Sequence, residues 1–128
     1  MGWLEGKPGD STSFTKTLTA GDASLFAAVT AGTVSAPAAD GRLPEFLALT
    51  LANTVSSMLA EATGRIFLGM GFDWVHFLHP VYVGDTVTAT LTVTEQDAVR
   101  SRLYAEIRLT NQRQAPVAEA LILIKVLS

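Results

Sequence analysis

The 128-residue chain contains no cysteine, which rules out disulfides, thiolate nucleophiles and zinc–thiolate centres. Histidine is scarce, with only His76 and His79. Charge is scarce too: Asp, Glu, Lys and Arg make up 16% of the residues and sum to −3. The nine basic residues are scattered from Lys7 to Lys125, with nothing denser than Arg100 and Arg102, so nucleic acid is not an expected partner. No apolar run reaches the roughly 18 residues of a spanning helix. The opening MGWLEGKPGDSTS carries no apolar segment of leader length. No membrane association is expected, and the cytoplasm is the expected compartment. No internal repeat or low-complexity tract is visible.

What is present is hydrophobic. Apolar residues make up 48% of the chain, a composition of folded globular proteins, at a length that suits one core. With so few charges, part of the apolar surface is expected to be hidden by self-association. Residues 1–13, rich in Gly and Ser, read as a flexible lead-in, and residues 14–128 as one domain.

Leu43 to Gly64 reads as one long helix, with Pro44 and Glu45 in its first turn and Gly64 as its stop. At about 100° per residue, Leu47, Ala48, Leu51, Ala52, Val55, Met58, Leu59 and Ala62 share one arc. The opposite arc carries Glu45, Thr50, Asn53, Thr54, Ser56, Ser57 and Glu61, with Phe46, Leu49 and Ala60 interspersed. A face that is polar but mostly uncharged suits a partner or a ligand cavity better than open water.

Around this helix, Phe14–Thr19 alternates as a first strand, and Asp22 is placed to cap a short helix through Ala31 whose buried stripe is Leu25, Phe26 and Val29. Gly32 to Arg42 has loop composition. After Gly64 the texture is that of strands: Arg65–His79, Thr86–Thr94, the alternating Leu103–Thr110, and Val117–Leu127, apolar on both faces like a central strand. The fold class is therefore α+β, one antiparallel five-stranded sheet burying one long helix.

The segment His76-Phe77-Leu78-His79-Pro80-Val81-Tyr82-Val83-Gly84-Asp85-Thr86 resembles the FLxPVxxGDT signature of the MaoC-like family, the (R)-specific enoyl-CoA hydratases and hydroxyacyl dehydratases. Phe14-Thr15-Lys16-Thr17 followed by Asp22–Val29 resembles that family's opening strand and short helix, so the likeness spans roughly Ser13 to Leu127. The resemblance implies a hot-dog fold, a long central helix wrapped by a curved sheet. It also implies a dimer made by joining two sheets, and a substrate carried as a CoA or acyl-carrier-protein thioester. The chain departs from the family at its chemistry. Where relatives carry a GDxNPxH-type loop whose Asp and His activate water, this sequence reads Thr30-Ala31-Gly32-Thr33-Val34-Ser35-Ala36-Pro37-Ala38. The HGM-type helix start is replaced by Pro44-Glu45-Phe46.

The candidate catalytic residues are consequently Glu45, Asp73 and His76, each with a plainer alternative. Glu45 lies near where relatives hold a thioester oxyanion and could act as a base, or it simply complements the helix dipole. Asp73 is an acid if buried among its aromatic neighbours, or a solvent-facing strand residue. His76 is placed on one face with Phe72, Trp74 and Leu78, either lining a pocket or serving as a structural histidine. His79, before Pro80, reads as a solvated strand end. Three residues apart on a regular strand, the two histidines face opposite ways and should not share a metal, so no metal and no cofactor is expected. Thr33 and Ser35 occupy the altered loop with no neighbouring histidine. Phe46, Asn53 and Trp74 are the candidate substrate-binding residues.

Three functions fit. One is an enzyme on an acyl- or polyketide-type thioester whose repurposed pocket catalyses cyclisation or atypical dehydration. Another is a non-catalytic subunit, paired as a heterodimer with an active homologue. The last is ordinary hydration by substitute residues.

Overall fold

The computed structural model describes residues 5–30 and 37–128. In chain order its elements are β1 (Ser11–Thr17), α1 (Ala20–Val29), α2 (Glu45–Leu49), α3 (Leu51–Thr63), β2 (Phe67–Phe77), β3 (Thr86–Asp97), β4 (Arg102–Thr110) and β5 (Pro116–Val126). The five strands form one antiparallel sheet in the order β1-β3-β4-β5-β2. The hairpin-linked strands occupy the middle, while β1 and β2 form the two edges.

The inward face of the sheet alternates bulk. Across the strands, Ala89 lies beside Leu109 and Leu109 beside Ala118; Leu91, Ile107 and Ala120 form the next row, and Val93, Ala105 and Ile122 the next. The first row holds two alanines and each of the others one, which lets a helix approach the sheet closely without overpacking. Leu51, Ala52, Val55 and Leu59 of α3 fill that space and are buried, while Met58 and Ala62 at the margin of the same arc are half-buried.

The helix expected as one piece is nearly continuous but is interrupted at Thr50. The Thr50 hydroxyl donates to the Leu47 carbonyl at 2.6 Å, while its backbone stays right-handed helical. A threonine hydroxyl bonded back into the preceding turn competes with the helical ladder and locally tightens it. Gly64, at φ +68°, supplies the left-handed cap expected of it.

Other boundaries moved for identifiable reasons. β1 begins at Ser11, ahead of Phe14, because residues 5–10 fold back beside β3: Gly9 N–H donates to the Val93 carbonyl and Val93 N–H to the Asp10 carbonyl, both at 2.8 Å. The cap of α1 is Thr19 rather than Asp22, which sits at the third helical position and closes a capping box. The Thr19 hydroxyl accepts from Asp22 N–H at 3.1 Å, and the Asp22 carboxylate accepts from Thr19 N–H at 2.9 Å. The stripe expected on α1 is also revised: Leu25 and Val29 are 70% and 84% exposed, and α1 turns Ala23 and part of Phe26 inward instead.

The most distinctive sequence segment turns out to fix the fold. Asp85 is 8% exposed; its carboxylate accepts from Tyr82 N–H at 2.9 Å and from the Gln112 side-chain amide at 2.8 Å. Gly84 takes φ +92°, a conformation costly for other residues, and its N–H donates to the Leu18 carbonyl at 2.8 Å. The turn thus ties the entry of β3 to the end of β1 and to the β4–β5 connection.

Two measurements follow from these contacts. Asp85→Ala removes the buried acceptor shared by the Tyr82 N–H and the Gln112 amide and should cost about 2 kcal/mol in urea denaturation. The Asp22 carboxyl is held below its ordinary pKa by the Thr19 N–H bond and then by Lys16, whose ammonium lies 3.0 Å away. A carboxyl depressed in the folded state stabilises above its unfolded pKa and stops doing so as pH falls through the folded value. The urea midpoint of Asp22→Asn should therefore lie below wild type near neutral pH and converge toward it below about pH 4.

Candidate functional site

α3 does not sit over the middle of the sheet. It packs chiefly on β1 and β3 and touches β2 only lightly. The Thr12 hydroxyl reinforces this offset by donating to the Val55 carbonyl at 3.0 Å, across the helix–sheet interface. The other end of the sheet is therefore left uncovered, and a cavity of about 460 Å³ opens between α3 and β2.

Its walls differ sharply. Phe26 of α1, Phe46 of α2, Phe67 and Phe72 of β2, and Ile122 and Ile124 of β5 supply the apolar surface. The helix side presents Thr50, Asn53, Ser56 and Ser57, from the uncharged polar arc noted in the sequence, and among the described residues no ionisable side chain lines the cavity. Gly69 forms part of the β2 wall, and a Cβ there would meet no atom within 4 Å.

A second hollow, of about 20 Å³, lies between the start of α2 and the end of β2, lined by Arg42, Glu45, Phe77, His79 and Val117 among others. That is room for about one water. The His79 Nδ1 lies 2.6 Å from the Pro116 carbonyl oxygen. A carbonyl only accepts, so Nδ1 carries the proton, and Nε2 of the neutral ring is left with a free lone pair. The rings of Phe46 and Phe77 meet edge to face at 5.3 Å, linking the wall of the large cavity to that of the small hollow.

The sequence candidates are dispersed by two irregularities in β2. Pairing with β5 skips Met70 and Asp73, so the strand shifts face twice. Phe72 lies opposite Ile122 and points into the cavity, whereas Trp74 lies opposite Leu121 on the outer face. Phe72 and Trp74 thus do not share a face, as regular alternation would require. His76 is outward as well, its ring stacked on Trp74 at 5.1 Å and its backbone paired with Glu119. Asp73 is an exposed extra residue in the second irregularity, not a buried acid. Of the expected binding residues, Phe46 and Asn53 line the cavity and Trp74 does not. Of the expected catalytic residues, only Glu45 lies near the cavity, and it lines the small hollow beside His79. The sequence reads His79 as a solvated strand end; its ring is instead oriented by a bond to Pro116, 37 residues away, which no local pattern discloses. Thr33 and Ser35 lie outside the described residues. Among the described residues no group of three or more His, Asp or Glu converges as a metal site, and no helix is long and apolar enough to cross a membrane.

Gly69→Leu provides a direct check on the cavity. With space for the side chain and a better strand former in place, the melting temperature should be no lower than wild type. The enhancement of ANS fluorescence by the folded protein should fall, and an unchanged signal would mean that the dye finds no cavity there.

No protein family and no curated protein matches the chain by sequence. Its likeness to solved structures is extensive. The (R)-hydratase of A. caviae involved in PHA biosynthesis superposes with a TM-score of 0.77 at 22% identity, over 93% of this chain and 96% of that one. A monoamine oxidase regulatory protein from Archaeoglobus fulgidus gives 0.76 at 25% identity, over 95% and 92%. The protein smu.793 of Streptococcus mutans, bound to acetyl CoA, gives 0.71 at 16% identity, over 98% and 85%. A hot-dog-like protein from Thermanaerovibrio acidaminovorans is among the other neighbours. One long helix against a five-stranded antiparallel sheet, superposing on hot-dog structures over nearly its whole length, gives this chain the hot-dog fold that its HPVYVGDT segment implied.

Proposed function

We propose that the protein acts on an acyl group delivered as a CoA or acyl-carrier-protein thioester, with the acyl portion held in the cavity between α3 and β2. The cavity itself carries this reading: its volume of about 460 Å³ falls within the usual range of small-molecule sites, and apolar side chains dominate its walls. The acetyl CoA carried by one hot-dog neighbour supports the choice of thioester.

The chemistry proposed is that of a repurposed pocket. The sequence after α1 lacks the aspartate and histidine with which relatives are expected to activate water. A cavity without ionisable walls contributes mainly by orienting the chain and excluding water, which favours cyclisation or an atypical dehydration of a polyketide- or fatty-type chain. Proton transfer is assigned to Glu45 and His79, which share the water-sized hollow beyond the Phe46–Phe77 pair. The free Nε2 of His79 suits a base, and the Glu45 carboxylate suits holding a water or an imidazolium beside it.

The working unit proposed is a dimer. β2 is an edge strand, and its Leu68, Met70, Phe72 and Trp74 are exposed in the isolated chain, so pairing with another strand would remove both an unpaired edge and an apolar surface from water. The same edge admits a second reading, a non-catalytic subunit that docks an active homologue through β2. The two are separated by size-exclusion chromatography of the purified chain: a homodimer fits the first, and a monomer that dimerises only with an added homologue fits the second.

Turnover is tested with a panel of acyl-CoA thioesters. Glu45→Gln and His79→Gln should each lower the rate by about 10²–10⁴-fold with little change in thioester affinity. The outward-facing Asp73→Asn and His76→Gln should leave it intact. Absence of any thioester binding would overturn the proposal as a whole, and full activity in both Glu45→Gln and His79→Gln would overturn the proton-transfer assignment.

A further inference from the structure

We infer that the cavity is built for an acyl chain bearing several neutral oxygens, keto or hydroxyl, along one edge, and discriminates against a plain alkyl chain. This rests on the reading that the cavity holds the acyl portion of a thioester. The argument starts from the polar wall. Ser56 lines the cavity, and its hydroxyl oxygen is buried without a hydrogen-bond partner. A buried hydroxyl left unpaired costs about 1–3 kcal/mol, so an occupant that pairs with it is favoured over one that does not. Asn53, one turn away from Ser57 on the same wall, makes no side-chain hydrogen bond among the described residues. Its carboxamide offers two donors and one acceptor to whatever lies against it.

An alkyl chain laid along this wall would strip water from Asn53 and Ser57, leave the Ser56 hydroxyl unpaired, and return nothing. Asn53 and Ser57 are four residues apart, about 6 Å along α3, a span that two oxygens separated by a few carbons can bridge. The opposite wall of Phe46, Phe67 and Phe72 accepts the hydrocarbon edge of the same chain. Charge on the acyl portion is disfavoured, because among the described residues no ionisable side chain lines the cavity to compensate it. Discrimination of this kind is steep: a site arranged to hydrogen-bond its ligand rejects the analogue that lacks the polar groups far more strongly than an apolar pocket rejects a small change in size.

The test compares octanoyl-CoA with 3,5-dihydroxyoctanoyl-CoA by isothermal titration on the full-length protein. The dihydroxy thioester should bind at least tenfold more tightly. Asn53→Leu, an exposed position whose side chain holds no structural bond, should erase most of that preference by weakening the dihydroxy ligand and strengthening octanoyl-CoA; the double variant Asn53→Leu/Ser56→Ala should reverse it. Equal affinity of wild type for the two ligands, or a preference unchanged in Asn53→Leu, overturns the inference while leaving the thioester reading in place. Failure of both ligands to bind overturns the thioester reading itself.

Discussion

The offset of α3 toward one end of the sheet is the constraint from which the rest follows. Val55 and Leu59 are fully buried, and Thr12 bonds the Val55 carbonyl, so the helix is fixed over β1 and β3. A helix is only about 10 Å wide and cannot cover five strands. Two consequences appear at the far end: a cavity whose floor is β5 and β2, and an edge strand whose apolar side chains have no cover within the chain.

The same offset explains why a helix can carry serine, threonine and asparagine on a face that is not simply solvent. That face has two surroundings. Where it meets the sheet it is aliphatic, and where it overlooks the cavity it is polar and uncharged. Lysine or glutamate there would bring an uncompensated charge to an apolar space. The ionisable groups are kept at the margin instead, where Glu45 and His79 share a hollow of water size.

The segment by which the chain is most easily recognised acts on the fold rather than on a substrate. Asp85 and Gly84 lock the turn before β3 to the end of β1 and to the β4–β5 connection. The residues that lock this turn and the ionisable residues of the small hollow come from different parts of the sequence.

Periodicity alone determined the five strands, the long helix, its buried arc and the polar arc opposite, because each depends on the 3.6- or 2-residue repeat and on burial of one face. Phe46, Asn53 and Glu45 were legible for the same reason, as they project from a regular helix. Periodicity misplaced Trp74, His76 and Asp73, since two inserted residues in β2 shift its parity and are visible only in the pairing with β5. The orientation of the His79 ring was likewise decided by tertiary structure, through a carbonyl that the sheet brings to its Nδ1. Local sequence specifies which face an element buries; which residues meet across elements depends on register, and register is a property of the assembled sheet.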